Sequence, residues 1–273
     1  MAKVWTIIWR TIKDRKISLI TYIIVSILIV VMYVAIFPIF QEQSKSFTEI
    51  LKAYPESLWK ALGSSSSSLQ MMSDIQAFLS LEAYGMFWVV VLCFMFIGIA
   101  GGALAAEIEK GTMEILLSLP IARLKLFFSK YLMGVLALIV FVIVSVFSAI
   151  PIAAAFGIPT IPQNYLTMAL AGFMLGLAIF SIAMMFSAIF SEKSKVFFMT
   201  GGLIILMYLA NVVSALITQL ENLKYFSFFH YYNAADALVH NNIDLWAYPV
   251  FLGTIIVCTA IGAYVFEKRD IAV

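Results

Sequence analysis

Residues able to do chemistry are few in this chain, and they are unevenly placed. Two histidines, His230 and His240, stand ten positions apart with no cysteine nearby. That spacing lacks the paired Cys or His partners of a zinc site, and exposed polar residues are the simpler reading. Two cysteines, Cys93 and Cys258, lie in apolar runs, where thiols act as small hydrophobes and not as a disulfide framework. No lysine follows a glycine, so a GxxxxGK phosphate loop is impossible. Neither HExxH nor GxSxG occurs, which argues against a metalloprotease and a serine hydrolase of those types. One segment does concentrate charge: EIEKGTMEILLSLPIARLKLFFSK, Glu107 to Lys130, with three acids, four bases, one Gly and one Pro.

The elements that must hold this segment are apolar. Of 273 residues, 63% are hydrophobic and 12% charged, against about 25% charged in soluble domains. The solvent is therefore mostly lipid, and a net charge of +2 gives no reason to expect nucleic acid. A helix needs about 20 apolar residues to cross the hydrocarbon. Charge-free runs at 17–40, 83–106, 131–156, 165–190, 196–219 and 245–266 meet that length. The third and fourth are divided at AFGIPTIPQN, where Gly157, Pro159, Pro162 and Asn164 mark a turn. Backbone in lipid must bond to itself, so these runs predict helices. The expected fold is an all-α polytopic membrane protein, a single transmembrane domain over 1–273 with six spans.

Lys and Arg set the expected orientation. Five lie in the first 16 residues, four in 107–130, two in SEKSK and two in EKRDIAV; only Lys45, Lys52, Lys60 and Lys224 lie on the other side. Both termini and the charged segment are expected in the cytoplasm, in a multi-pass protein of the plasma membrane. The first apolar run, Ile17–Phe40, is too long for a signal-peptide core and reads as a retained anchor.

Residues 1–16 predict an amphipathic helix lying in the interface. Trp5, Ile8, Trp9 and Ile12 share one face, with Arg10 on the other. The loop 41–82 predicts two short amphipathic helices, broken by Pro55 and followed by a GSSSSS joint. The loop 220–244 carries an aromatic belt around YFSFFHYYN. GxxxG steps at Gly98/Gly102 and Gly172/Gly176 offer close helix packing. Tyr208 and Asn211 are the polar handles at depth; they read as interhelical hydrogen bonding or as a translocation route. No ionisable residue falls inside the runs, so ion coupling at depth has no group to hold it. Energy for uphill transport must come from elsewhere.

Within the charged segment, Gly111 suits a helix stop. Thr112 suits a new N-cap, with Glu114 in the first turn. Met113, Leu116 and Leu117 form an apolar face. Pro120 closes the helix and opens the next, which carries Arg123, Lys125 and Lys130 into the third span. The segment AAEIEKGTMEILLSLPIARLKLFFSKYL resembles the cytoplasmic loop of type-2 ABC exporter permeases. The pattern is an acidic pair, Gly-Thr, a Glu-Leu-Leu-like run, Ser-Leu-Pro, then bases entering a span. Ala122 stands where a Ser is frequent. FLSLEAYG, FHYYNAADAL and FEKRDIAV resemble further segments of that family, so the resemblance covers nearly the whole chain.

The resemblance implies a membrane permease, with no catalysis of its own, that exports an amphiphilic drug, peptide, lipid or ion. It would pair with itself or a related permease in the bilayer and dock cytoplasmic ATPase subunits, which would carry ATP and Mg. Thr112–Leu119 would be the coupling helix. Glu107, Glu109, Gly111, Thr112, Glu114, Leu116, Leu117, Pro120 and Arg123 would form the ATPase-coupling region, and the N-terminal helix would touch the same ATPase. A membrane scaffold of the same fold that moves no solute is the alternative.

Overall fold

A computed structural model describes the backbone of residues 2–52, 74–118 and 121–270. Side chains are described for 16–42, 74–118 and 121–270, except Thr218. Pro55, the GSSSSS joint and Pro120 lie outside the described residues. Among the described residues there is no strand. Within the same residues six helices are long and apolar enough to cross a bilayer: Lys16–Glu42, Ile75–Gly101, Arg123–Ala155, Pro162–Ile189, Lys193–Leu216 and Ala247–Lys268. The chain is an all-helical polytopic membrane protein, and these are its first to sixth spans.

The ends of the helices depart from the charge-free runs for physical reasons. Charge marks where hydrocarbon ends, but a helix can continue into water. The first helix runs unbroken from Ala2 to Lys52, about 77 Å at 1.5 Å per residue. Residues 2–16 are thus helical but continuous with the first span, and the side chains of Trp5, Ile8, Trp9, Arg10 and Ile12 lie outside the described residues. The same helix takes up residues 41–52, where the sequence suggests a loop. The second span begins at Ile75 instead of 83, with the Asp74 carboxylate capping it by accepting from Gln76 N at 3.0 Å. Glu82 does not end the helix; it is exposed on a π-helical stretch, Ser80–Phe87. The wide π turn depends on Gly85, where a Cβ would meet Ser80 O at 2.8 Å.

The fourth span is the axis. It packs against the second, third, fifth and sixth, and Pro162 opens it at a first-turn position where its missing N–H is not needed. Small residues set how closely its neighbours approach. Trp88 of the second span stacks on Phe141 of the third, with ring centroids 5.7 Å apart, and its indole N–H donates to Ser145 Oγ at 2.8 Å. A Cβ on Gly172 would stand 2.6 Å from that indole. Gly176 similarly admits Leu138. The other GxxxG behaves differently: a Cβ on Gly98 would find ordinary contact, 3.5 Å from Phe197. Gly102 is the C-cap of the second span. Close packing therefore lies at Gly172 and Gly176, and at Gly134, where a Cβ would fall 2.1 Å from the buried Phe180 ring.

The bundle has two distinct ends. At one, residues 105–118 and 123 meet 187–193 and 267–269; with 13 of the 17 basic residues expected on this side, it is the basic end. At the other, Gln76 and Asn164 both donate to Leu238 O, at 2.9 and 2.8 Å. They close the last turn of a short helix, Ala234–Leu238.

Gly134→Ala is expected to destabilise the purified protein by about 1–3 kcal/mol through overpacking against Phe180. Gly253→Ala meets nothing within 4 Å and is expected to leave the thermal midpoint unchanged or slightly raised. Equal midpoints for the two variants would contradict this packing.

Candidate functional site

The charged segment folds as two short helices around a tight turn. After the second span ends at Gly101, a turn at 102–104 leads into the helix Ala105–Glu109. Gly111 then adopts φ +70 and its amide bonds back to Ile108 O at 3.0 Å. This is the left-handed helix stop that glycine takes without a Cβ penalty. The second helix, Met113–Leu117, carries Glu114 in its first turn.

Thr112 departs from the sequence expectation. It has helical dihedrals and its side chain does not cap Met113–Leu117. Its hydroxyl instead donates to Glu107, whose carboxylate and carbonyl oxygens are both in reach. A second group converges on the same carboxylate: Lys130 Nζ lies 3.7 Å from Glu107 Oε1. Lys130 is only 5% exposed. The charge-free run 131–156 holds no charge; the buried cation lies one residue before it, at the basic end of the same helix. The third span starts at Arg123 and not at 131, which draws Lys130 into its early turns. An ammonium buried there needs a partner, and Glu107 supplies one.

The other charged residues close helix ends. Glu109 Oε2 accepts from the amide of Lys193 at 2.9 Å, on the first turn of the fifth span. An acid there offsets the positive end of the helix dipole. Arg123 Nη1 donates to Arg269 O at 2.6 Å, beyond the last turn of the sixth span. Arg269 in turn donates to Ala188 O at 3.0 Å and to Ser191 Oγ, closing the end of the fourth. Ser187 Oγ of the fourth span accepts from Ala105 N at 3.1 Å. Sequence-distant hydrogen bonds and an ion pair thus tie this segment and its neighbours to the third, fourth, fifth and sixth spans.

What remains for an outside partner is the tip. Met113 is buried, and Leu116 and Leu117 pack partly buried against the core. Glu114 is exposed, and so is Ile115, at 68%. Sequence reasoning passed over Ile115 because it lies off the Met113–Leu116–Leu117 face. That displacement is itself the signal: once those three residues bind the core, an apolar residue between them must point outward. Arg269 and Ser187 were also missed, and nothing local in their sequence reveals partners 78 or more residues away.

Tyr208 and Asn211, one turn apart on the fifth span, come together near the other end. Both line a cavity of about 400 Å³ with His230 and Asn233. Tyr208 meets Phe229 edge-on, with centroids 5.4 Å apart. Tyr208 also borders an apolar groove of about 510 Å³ between the second and fifth spans. Gly98 and Gly102 line neither cavity. Among the described residues, no group of three His, Cys, Asp or Glu is placed to hold a metal.

Six spans, with a charged helix–turn–helix braced across one end, make a polytopic membrane protein. The sequence matches the family described as ABC-2 family transporter protein over residues 5–271, and the chain belongs to that family. It is a membrane permease subunit of an ABC transporter, and not itself catalytic. No curated protein matches the chain.

Because Glu107 faces inward and Glu114 outward, their removal should differ in effect. Glu107→Ala is expected to destabilise the purified chain by about 1–3 kcal/mol, by stripping partners from Thr112 and the buried Lys130. Glu114→Ala is expected to stay within about 0.5 kcal/mol of the parent. Denaturation midpoints of the two variants check this directly.

Proposed function

We propose that this chain is the translocating subunit of an ATP-driven exporter whose ATPase is a separate chain docked on Met113–Leu117. The observation that carries the reading is the exposed Ile115–Glu114 tip on a braced segment. An apolar side chain with an acid beside it suits a socket that offers a hydrophobic pocket and a basic rim. ATP and Mg belong to the partner, because this chain has no phosphate loop of the GxxxxGK type. The balance of Lys and Arg supports a cytoplasmic basic end, with both termini on that side of the plasma membrane. The permease works as a homodimer or paired with a related permease, and the first helical turns, around Trp5 and Trp9, serve as a second contact for the ATPase.

ATP-driven closure of the docked ATPases would push on the tip. The tip cannot yield alone, because Glu107 holds the third span and Glu109 the fifth. A displacement there would be passed to both. Ile115→Asp and Glu114→Lys test the docking. Each is expected to weaken capture of the cognate ATPase by affinity-purified permease about thirtyfold, the effect of losing an interface anchor worth about 2 kcal/mol. Thermal midpoints should stay at the parent value. Undiminished capture by both variants would contradict the docking site.

A further inference from the structure

We infer that Arg269 is a positioning residue for the transport step: it fixes the turn between the fourth and fifth spans, and so keeps the Lys193 amide within reach of Glu109. The geometry stands on the bonds at the basic end. The consequence for transport rests on the docking proposed for Met113–Leu117.

The turn is short and does little to support itself. The fourth span ends at Ile189 and the fifth begins at Lys193, which leaves residues 190–192 to join them. Phe190 and Glu192 are both extended, with φ −98 and ψ 152 at the first and φ −122 and ψ 131 at the second. Among the described residues no backbone hydrogen bond crosses from one side of the turn to the other. Side chains from elsewhere must therefore set its course. Arg269 supplies two of the bonds: Nη1 donates to Ala188 O at 3.0 Å, and Nη2 donates to Ser191 Oγ. One acceptor lies in the last turn of the fourth span and the other in the turn itself. A planar guanidinium holds both at fixed angles, which the point charge of a lysine does not.

Arg269 works from a firm base. Further up the sixth span, a Cβ on Gly262 would stand 3.1 Å from Met185 Cα of the fourth span and 3.2 Å from Phe127 Cζ of the third. The helices thus meet closely just before the strap leaves them, and Phe266 is buried there. Arg123 Nη1 then holds the Arg269 carbonyl at 2.6 Å. The residues on either side, Lys268 and Asp270, are exposed, so the inward role belongs to Arg269 alone among these three.

Beyond the turn, the aliphatic stem of Lys193 leans on the end of the second span, where a Cβ on Gly101 would lie 3.3 Å from Lys193 Cγ. The Lys193 amide reaches Glu109 Oε2 at 2.9 Å. The turn sets that distance, and Arg269 sets the turn. Without the guanidinium, Ala188 and Ser191 lose their shared donor and the amide is free to leave its acceptor. A push entering through Glu109 would then find the fifth span detached.

The test is residue-resolved amide exchange of the full chain in nanodiscs. Arg269→Gln is expected to speed exchange at Lys193 on the order of tenfold. Ser191→Ala removes one acceptor and no charge, and should speed it about two- to fivefold; it keeps the test open should Arg269→Gln fail to fold. Lys268→Gln, at the exposed neighbour, should leave it unchanged. With Glu109→Ala in place, Arg269→Gln should add nothing at Lys193, because both act on one bond. In complex with the cognate ATPase trapped by ATP and vanadate, the parent is expected to change its protection across 193–204, and Arg269→Gln to lose that change. Parent-like exchange at Lys193 in both Arg269→Gln and Ser191→Ala would overturn the inference. So would an Arg269→Gln effect that adds in full to that of Glu109→Ala, or a parent-like response of Arg269→Gln to trapped ATP. Arg269 would then be a cap of the fourth span and no more. The exchange measurement on the chain alone needs no ATPase. Failed ATPase capture therefore removes the docking reading alone, and parent-like exchange with capture intact removes the positioning role alone.

Discussion

A helix that ends at a membrane surface leaves its last carbonyls or first amides without partners, and water there is scarce. At the basic end of this bundle, side chains from neighbouring helices supply the missing partners. Glu109 serves the fifth span, Arg123 the sixth and Arg269 the fourth. Each cap does two things at once. It satisfies backbone that would otherwise be exposed in a poor solvent, and it fixes the distance between two helices. The charged segment is rigid because it is the means by which its neighbours end.

That arrangement separates two tasks that the sequence presents as one. Glu107, Glu109, Thr112 and Arg123 turn inward and brace; Glu114 and Ile115 turn outward and are free to meet another chain. On the proposed docking, a push on a braced tip would travel as a rigid displacement into the third and fifth spans. The fifth span is lightly packed and carries Gly201 and Gly202 beside an open groove.

The six spans were legible because charge is expensive in hydrocarbon, so about 20 residues without it are enough to mark a crossing. The ends were less legible for the same reason. Glu42, Lys45 and Glu82 end an apolar run, yet the backbone stays helical through all three. The charged segment was legible as a unit, since Gly111 punctuates it where its backbone turns left-handed. The direction each side chain faces was not. Glu109 meets Lys193 across 84 residues and Arg123 meets Arg269 across 146, and no local pattern encodes such pairings. Thr112 shows the limit most clearly: Gly-Thr-x-Glu reads as a capped helix start, but a buried lysine fixes Glu107 nearby and draws the hydroxyl to it.

Amide hydrogen exchange at Lys193 tests the bracing most directly. The measurement compares the purified chain with Glu109→Ala at single-residue resolution. The Lys193 amide sits in a first helical turn, where no carbonyl of its own helix can protect it. Slow exchange in the parent and fast exchange in Glu109→Ala, with the rest of the fifth span unchanged, is the result expected. Fast exchange in both would mean that Glu109 does not hold the fifth span, and that a push on the tip has no fixed route into it.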